Sequence, residues 1–226
     1  TNPRVFDSEY SLGGAIFAND YDWDDYDEKS YGFSITGGRK LGRYTDASLT
    51  YYFEKSEIEG LNQYYAAAGY QDGKNLKSSI IPAITFNNTD DYYLPRSGVI
   101  ASTSLEYAGL GGDIEYTKAR GSFNYYFGLR DYIDYDIIFR YKAAAGYIWE
   151  TGKKIPINEK LFLGGMKNVR GYDSRSIPKK QICLAANNCR YIETGGMQSF
   201  NNSFELSFPV IDRLKMRLVT FFDYGM

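Results

Sequence analysis

Apolar and polar side chains alternate one by one in stretch after stretch of this 226-residue chain, a pattern that few folds accept. Ala47, Leu49, Tyr51 and Phe53 interleave with Ser48, Thr50, Tyr52 and Glu54, and Val99, Ala101, Thr103, Leu105 and Tyr107 with Ile100, Ser102, Ser104 and Glu106. The same rhythm sets Ala119, Gly121, Phe123, Tyr125 and Phe127 against Lys118, Arg120, Ser122, Asn124 and Tyr126. It sets Ile137, Phe139, Tyr141, Ala143 and Ala145 against Arg140, Lys142 and Ala144. Near the end, Phe204, Leu206 and Phe208 oppose Ser203, Glu205 and Ser207, and the run from Leu214 to Phe222 opposes Lys215, Arg217, Val219, Phe221 and Asp223. A period of two is the period of a strand, and helical periodicity is nearly absent. With Tyr10 to Ala18, Tyr31 to Thr36 and Ser79 to Asn87, about nine strands are expected. Pro82 has to sit where no ladder donor is needed.

The connections are expected to differ between the two ends. Long ones follow Ala18 (an acidic, aromatic loop, Asn19 to Glu28), Glu54 (Lys55 to Leu76, with a helical turn around Tyr64 to Ala68) and Trp149 (roughly Glu150 to Met197). Short turns are expected at Lys40 to Arg43, Asp90 to Gly98 and Asp131 to Asp134, with a tight hairpin at Gly109 to Asp113. Each strand is close to the roughly 9 to 11 residues that cross a bilayer at a tilt.

Lys118, Arg120, Arg140, Lys142, Glu205, Lys215, Arg217 and Asp223 all fall on one face. The other face carries Tyr, Phe, Leu and Ile, with Tyr107, Tyr147 and Trp149 near strand ends, where aromatic girdles lie. Mean hydropathy is negative, and no segment has the apolar length of a membrane helix. A transmembrane barrel tolerates both, because every second residue can face a polar lumen. The expected fold is therefore all-β: an antiparallel up-and-down transmembrane β-barrel, incomplete at about nine strands, with residues 1–226 part of one domain and a long loop over about 150–197. Both ends read as cut within a longer protein. A soluble β-sandwich is the competing fold.

Net charge −2 gives no reason to expect nucleic acid. The absence of histidine removes the usual general base for a serine or cysteine nucleophile, so the chain reads as a non-enzyme with no cofactor. Cys183 and Cys189 lie in the same long loop; a disulfide, free thiols or half of a metal site are the readings. A soft-metal site would lack further ligands, which favours the staple.

Inside that loop, Leu161 to Gly165 leads to Val169, Arg170, Gly171 and Tyr172. The glycines allow a fold-back, and the guanidinium offers a rigid fork of donors for carboxylates. This run resembles the signature of the BamA family of outer-membrane assembly factors. Pro95, Arg96 and Gly98 are similar to its Pro-Arg-x-Gly turn, Phe221 to Gly225 to its Phe-x-Asp-x-Gly strand, and Thr1-Asn2-Pro3 with Ser11 to Gly14 to the entry of a mid-barrel strand. The signature here ends in Tyr172, where many relatives have Phe.

The resemblance implies that Arg170 enters the barrel and pairs with Glu205 and Asp223 as a latch; a plainer alternative is that these acids neutralise Lys215 and Arg217. It further implies a protein that inserts and folds β-barrel clients in the bacterial outer membrane. Its partners would be membrane lipid, unfolded client chains and accessory assembly lipoproteins, and periplasmic domains and the remaining strands would lie outside this chain. A secretion transporter of the same superfamily and a passive pore are the alternative functions.

Overall fold

The computed structural model describes residues 9–152, 155–211 and 216–226. Thr1-Asn2-Pro3, Leu214 and Lys215 lie outside them. The strands are β1 (Tyr10–Trp23), β2 (Tyr26–Lys40), β3 (Thr45–Glu59), β4 (Gly73–Asn87), β5 (Ser97–Ala108), β6 (Tyr116–Gly128) and β7 (Ile138–Glu150), then β8 (Lys179–Ala185), β9 (Asn188–Glu193), β10 (Gln198–Ile211) and β11 (Met216–Gly225). Nine form one antiparallel sheet in the order β1-β2-β3-β4-β5-β6-β7-β10-β11. β8 and β9 make a separate hairpin inside the connection from β7 to β10.

The alternation fixes which way each strand faces. Gly32 pairs with Glu54 and Glu54 with Lys77, Glu106 pairs with Lys118, and Lys142 with Ser203, so these positions share one face. The long connection covers this inner face. Ile16, Ile35, Leu49, Ile84, Leu105, Phe204 and Phe222 stand exposed on the other. On β2 the outer residues between Lys29 and Arg39 are Tyr31, Phe33, Ile35 and Gly37. Ten residues at about 3.3 Å each, tilted by about 40°, give an apolar band about 25 Å tall, the height of the outward apolar band of a transmembrane β-barrel.

Three connections differ from expectation. β1 continues through Asn19 to Trp23 and turns at Asp24-Asp25 straight into β2, so the acidic, aromatic segment is a hairpin tip and not a loop. The alternation persists there with its polarity reversed: Asp20 and Asp22 face outward beyond the apolar band, while Asn19, Tyr21 and Trp23 face inward. Tyr21 stacks on Trp23 at 5.6 Å, and Trp23 Nε1 donates to Glu28 at 3.2 Å. For the same reason β3 extends to Glu59 and β4 starts at Gly73, leaving a shorter connection with helix α1 (Gln63–Ala67). Asn62 caps α1 by accepting from the Tyr64 amide at 3.2 Å. The turn before β7 contains helix α2 (Arg130–Ile133).

Pro82 pairs with Leu49 on one side, and the β4–β5 ladder pauses beside it, between Ile80↔Tyr107 and Ala83↔Ser104. The two clusters of buried apolar residues lie at the long-connection end, while Tyr126 and Ile138 are buried at the short-turn end. One cluster joins Tyr26, Ile58, Tyr65, Tyr70, Ile157 and Ile192; the other joins Ala108, Ile114, Tyr116, Ile148, Ile155 and Leu161. Each includes strand and connection residues, so burial of roughly 1.5–3 kcal/mol per large side chain holds the connection against the wall.

Candidate functional site

The connection from β7 to β10 turns inward at a compact apex. Gly164 and Gly165 both have positive φ, +103° and +95°, and a Cβ on Gly164 would lie 2.2 Å from the Asp173 carbonyl oxygen. The Gly165 amide donates to the Tyr172 carbonyl at 2.9 Å, and Asn168 Oδ1 accepts from the Gly164 and Val169 amides, each at 2.8 Å. Buried Val169 packs against β11 at Gly225, where a Cβ would come within 2.6 Å of Val169 Cγ2. The bare Gly225 thus gives Val169 its seat and sets the depth of the next residue.

That residue is Arg170. Its Nε donates to Asp223 Oδ2 at 2.7 Å, its Nη2 to Asp223 Oδ1 at 2.6 Å, and its backbone amide to Asp223 Oδ2 at 2.9 Å. Nη2 also reaches Ser203 Oγ at 2.7 Å and lies 2.9 Å from Glu205 Oε1. The guanidinium lies over the Phe221 ring, 3.6 Å from its centroid. The fork geometry suits two carboxylate oxygens at once, as lysine could not. Asp223 and Glu205 are 3% and 2% exposed, so their charges depend on these partners. Glu205 also receives Arg140 and, at 3.3 Å, Lys142 from β7.

A second anchor grips the opposite wall. The connection's 3-10 turn, Ile157–Glu159, buries Glu159 among β4, β5 and β6. Lys118 Nζ lies 3.0 Å from its Oε2 and Tyr116 Oη 2.6 Å, while Lys77 Nζ lies 2.5 Å from Oε1. Glu106 stands behind, within 3.8 Å of Lys77 and 4.0 Å of Lys118. Burial alone would raise the Glu159 carboxyl, but Lys77 and Lys118 overcome it and hold the group well below the usual carboxylate range.

A third anchor meets β1 and β2. Arg175 donates to Tyr26 Oη at 3.0 Å and lies between the rings of Trp23 and Phe162, 4.6 Å and 3.9 Å from their centroids. The hairpin beyond it is tied down by Arg190 to Asp25 at 3.0 Å and by Tyr65 Oη to the Glu193 carbonyl at 3.1 Å. Beneath the connection lies a cavity of about 770 Å³ whose lining includes Ser102, Ser122, Arg120, Asn168 and Asn201.

A connection that returns through its own sheet, with an arginine clamped by acids of adjacent strands, invites comparison with known proteins. The Omp85 superfamily domain matches residues 1–226. The chain belongs to the Omp85 superfamily. Along its whole length it is 26% identical to the outer membrane protein assembly factor BamA of Nitratidesulfovibrio vulgaris, covering 28% of that protein. The BamA of Neisseria meningitidis is 30% identical over 62% of this chain and 17% of its own length. The human sorting and assembly machinery component 50 homolog is 28% identical over 47% of the chain and 22% of its own length. The crystal structure of BamA from Haemophilus ducreyi superposes with a TM-score of 0.81 at 22% identity, covering 96% of this chain and 46% of that one. The described strands are thus the corresponding part of an Omp85 barrel, spanning less than half of that solved chain.

Within this Omp85 chain the other residues singled out in the sequence have separate places. Tyr172 is exposed, and only its carbonyl joins the apex. Cys183 and Cys189 face each other across β8 and β9 and are disulfide-bonded. Pro95, Arg96 and Gly98 lie at the opposite end of the sheet. Gly98 has φ +108°, and a Cβ there would lie 2.7 Å from Thr89 Cα.

Arg96 grips Asp136 with two bonds, at 2.9 and 3.0 Å, and Arg217 reaches the same carboxylate at 2.7 Å. These arginine hydrogen bonds, against opposing burial, lower the Asp136 carboxyl to about 2. Arg217 therefore does not neutralise Glu205 or Asp223, because Asp136 and Ser207 hold it at its own end of β11. Sequence reading missed Glu159, Arg175 and Asp136. Glu159 stands out in the sequence only as an acid in the apolar run from Ile155 to Leu163, which by itself names no partner.

Proposed function

We propose that this chain is part of the barrel domain of a bacterial outer-membrane assembly factor, which inserts and folds β-barrel client proteins. The observation that carries the reading is the Arg170 clamp on Asp223 and Glu205, held in a chain similar from end to end to a BamA. In this role the nine strands are wall, the connection of residues 151–197 is an extracellular loop folded into the lumen, and the short turns face the periplasm. The physical task is non-covalent: client strands pair by β-augmentation at a seam elsewhere in the full barrel. The wall seen here has to stay rigid meanwhile. Anchors on β1–β2, β4–β6 and β10–β11 brace it from inside, so strain at the seam does not spread into these strands. Membrane lipid and unfolded client chains are the direct partners, with accessory lipoproteins binding parts of the protein beyond this chain.

The test uses the full-length protein in liposomes and follows folding of a urea-denatured outer-membrane barrel by its heat-modifiable gel shift. Acceleration over empty liposomes, diminished by Arg170→Ala, is the expected result. A folded protein that gives no acceleration refutes the assembly function and moves it to secretion or passive conduction.

A further inference from the structure

The outer face of the sheet is not uniformly filled. A groove of about 930 Å³ crosses β1 to β5 near their short-turn end. Its floor is low at Gly37, Ala47 and Pro82, and exposed Leu49 rises as a ridge between Gly37 and Pro82, since Arg39 pairs with Ala47, and Leu49 with both Gly37 and Pro82. The pause in the β4–β5 ladder at Pro82 lies within it. Exposed Leu12, Ile84 and Leu105 wall it.

One end of the groove is charged. Arg39 points outward at the lower limit of the apolar band, beside Tyr10, whose ring lies 5.2 Å from the guanidinium carbon. Nη2 meets the exposed Glu9 carboxylate at 3.3 Å, and a guanidinium has five N–H donors, enough to take a second anion through its fork. An apolar trough inside the band, opening on an arginine at headgroup depth, matches a molecule with an anionic head and a long apolar tail. The groove is continuous with the lipid-facing surface, so that molecule comes from the bilayer.

We propose that this groove is a glycerophospholipid site, with the lipid phosphate on Arg39 and an acyl chain packed along the Leu49 ridge, against Ala47 and the low positions at Gly37 and Pro82. A client strand fits it less well, because β2, β3 and β4 are paired on both sides and offer no open edge for augmentation. The proposal rests only on the membrane-spanning fold and stands even if the assembly function fails.

The test is native mass spectrometry of the full-length protein released from mild detergent supplemented with phosphatidylglycerol. The variants are Arg39→Ala, Ala47→Trp and a control, Leu206→Trp, on the outer face of β10; a heat-modifiable gel shift shows that each is folded. The protein and the control are expected to retain one phospholipid, with at least tenfold lower occupancy in both groove variants. Equal retention in all four proteins overturns the proposal, as does the absence of any phospholipid or retention of detergent alone. If Ala47→Trp proves unfolded, Arg39→Ala against Arg39→Lys decides. Retention restored by lysine supports a phosphate contact, and equal retention by both refutes it.

Discussion

Arg170→Ala should free the apex of the loop, by an amount the structure allows to be estimated. The substitution removes one guanidinium from three partners, but their losses are unequal. Glu205 keeps Arg140 and Lys142. Asp223, 3% exposed, loses the cation that holds both its oxygens. Stranding one partner of a buried pair costs about 3–5 kcal/mol. The guanidinium is itself 24% exposed, which gives water a path to the orphaned carboxylate and places the cost near the low end, about 3 kcal/mol. At about 1.4 kcal/mol per decade, the opened fraction of the apex rises roughly a hundredfold.

Trypsin cleavage at the exposed Lys167, in the full-length protein in nanodiscs, reads that fraction when reclosing is fast. The double variant Arg170→Met with Asp223→Leu removes both charges and leaves none stranded, so its cleavage should fall back to within about tenfold of the parent. Cleavage of Arg170→Ala at the parent rate would refute the latch. So would a double variant whose effect is the sum of the two singles, since the pair would then be energetically independent.

Glu159→Gln leaves Lys77 and Lys118 buried without their nearest anion and should destabilise the folded barrel by about 3 kcal/mol, read as a lowered apparent Tm in detergent. An unchanged Tm would show that Glu54 and Glu106 suffice. Asp136 has its carboxyl lowered in the folded state, so its contribution is complete above the ordinary aspartate range, near pH 4, and fades as pH falls towards about 2. In Asp136→Asn that acid-induced loss between pH 4 and 2 should shrink; an identical acid profile for both proteins would remove the Arg96–Asp136–Arg217 contact from the account. Gly164→Ala sets a Cβ 2.2 Å from a backbone oxygen at a φ of +103° and should open the apex and raise trypsin cleavage at Lys167 as Arg170→Ala does. Gly171→Ala, at φ +89° with open space around it, should have a smaller effect, and the reverse order would place the apex strain elsewhere. Reducing the Cys183–Cys189 bond should loosen only the β8–β9 hairpin and leave barrel melting unchanged, because Arg190 and Tyr65 tie that hairpin down independently.

The period of two by itself determined the strands, their inner and outer faces and the all-β class, because a strand's side chains alternate whatever surrounds them. It misjudged strand ends wherever the wall leaves the apolar band. There Asp20, Asp22, Glu57 and Lys74 face water and Trp23, Tyr26 and Ile58 face inward, so the hydrophobic signal inverts while the ladder continues. Within the loop, the glycines and the lone arginine were legible because positive φ and a forked cation are properties of single residues. Only the tertiary structure decided the partners. Asp223 and Glu205 became a clamp because β10 and β11 pair with Ser203 opposite Asp223 and Glu205 opposite Phe221, placing both acids on one face under Arg170. The pairings of Glu159, Arg175 and Asp136 were not legible because their partners lie tens of residues away, up to 149 in sequence for Arg175 and Tyr26. Local pattern sets which face a residue occupies, and the register of distant strands sets what it meets there.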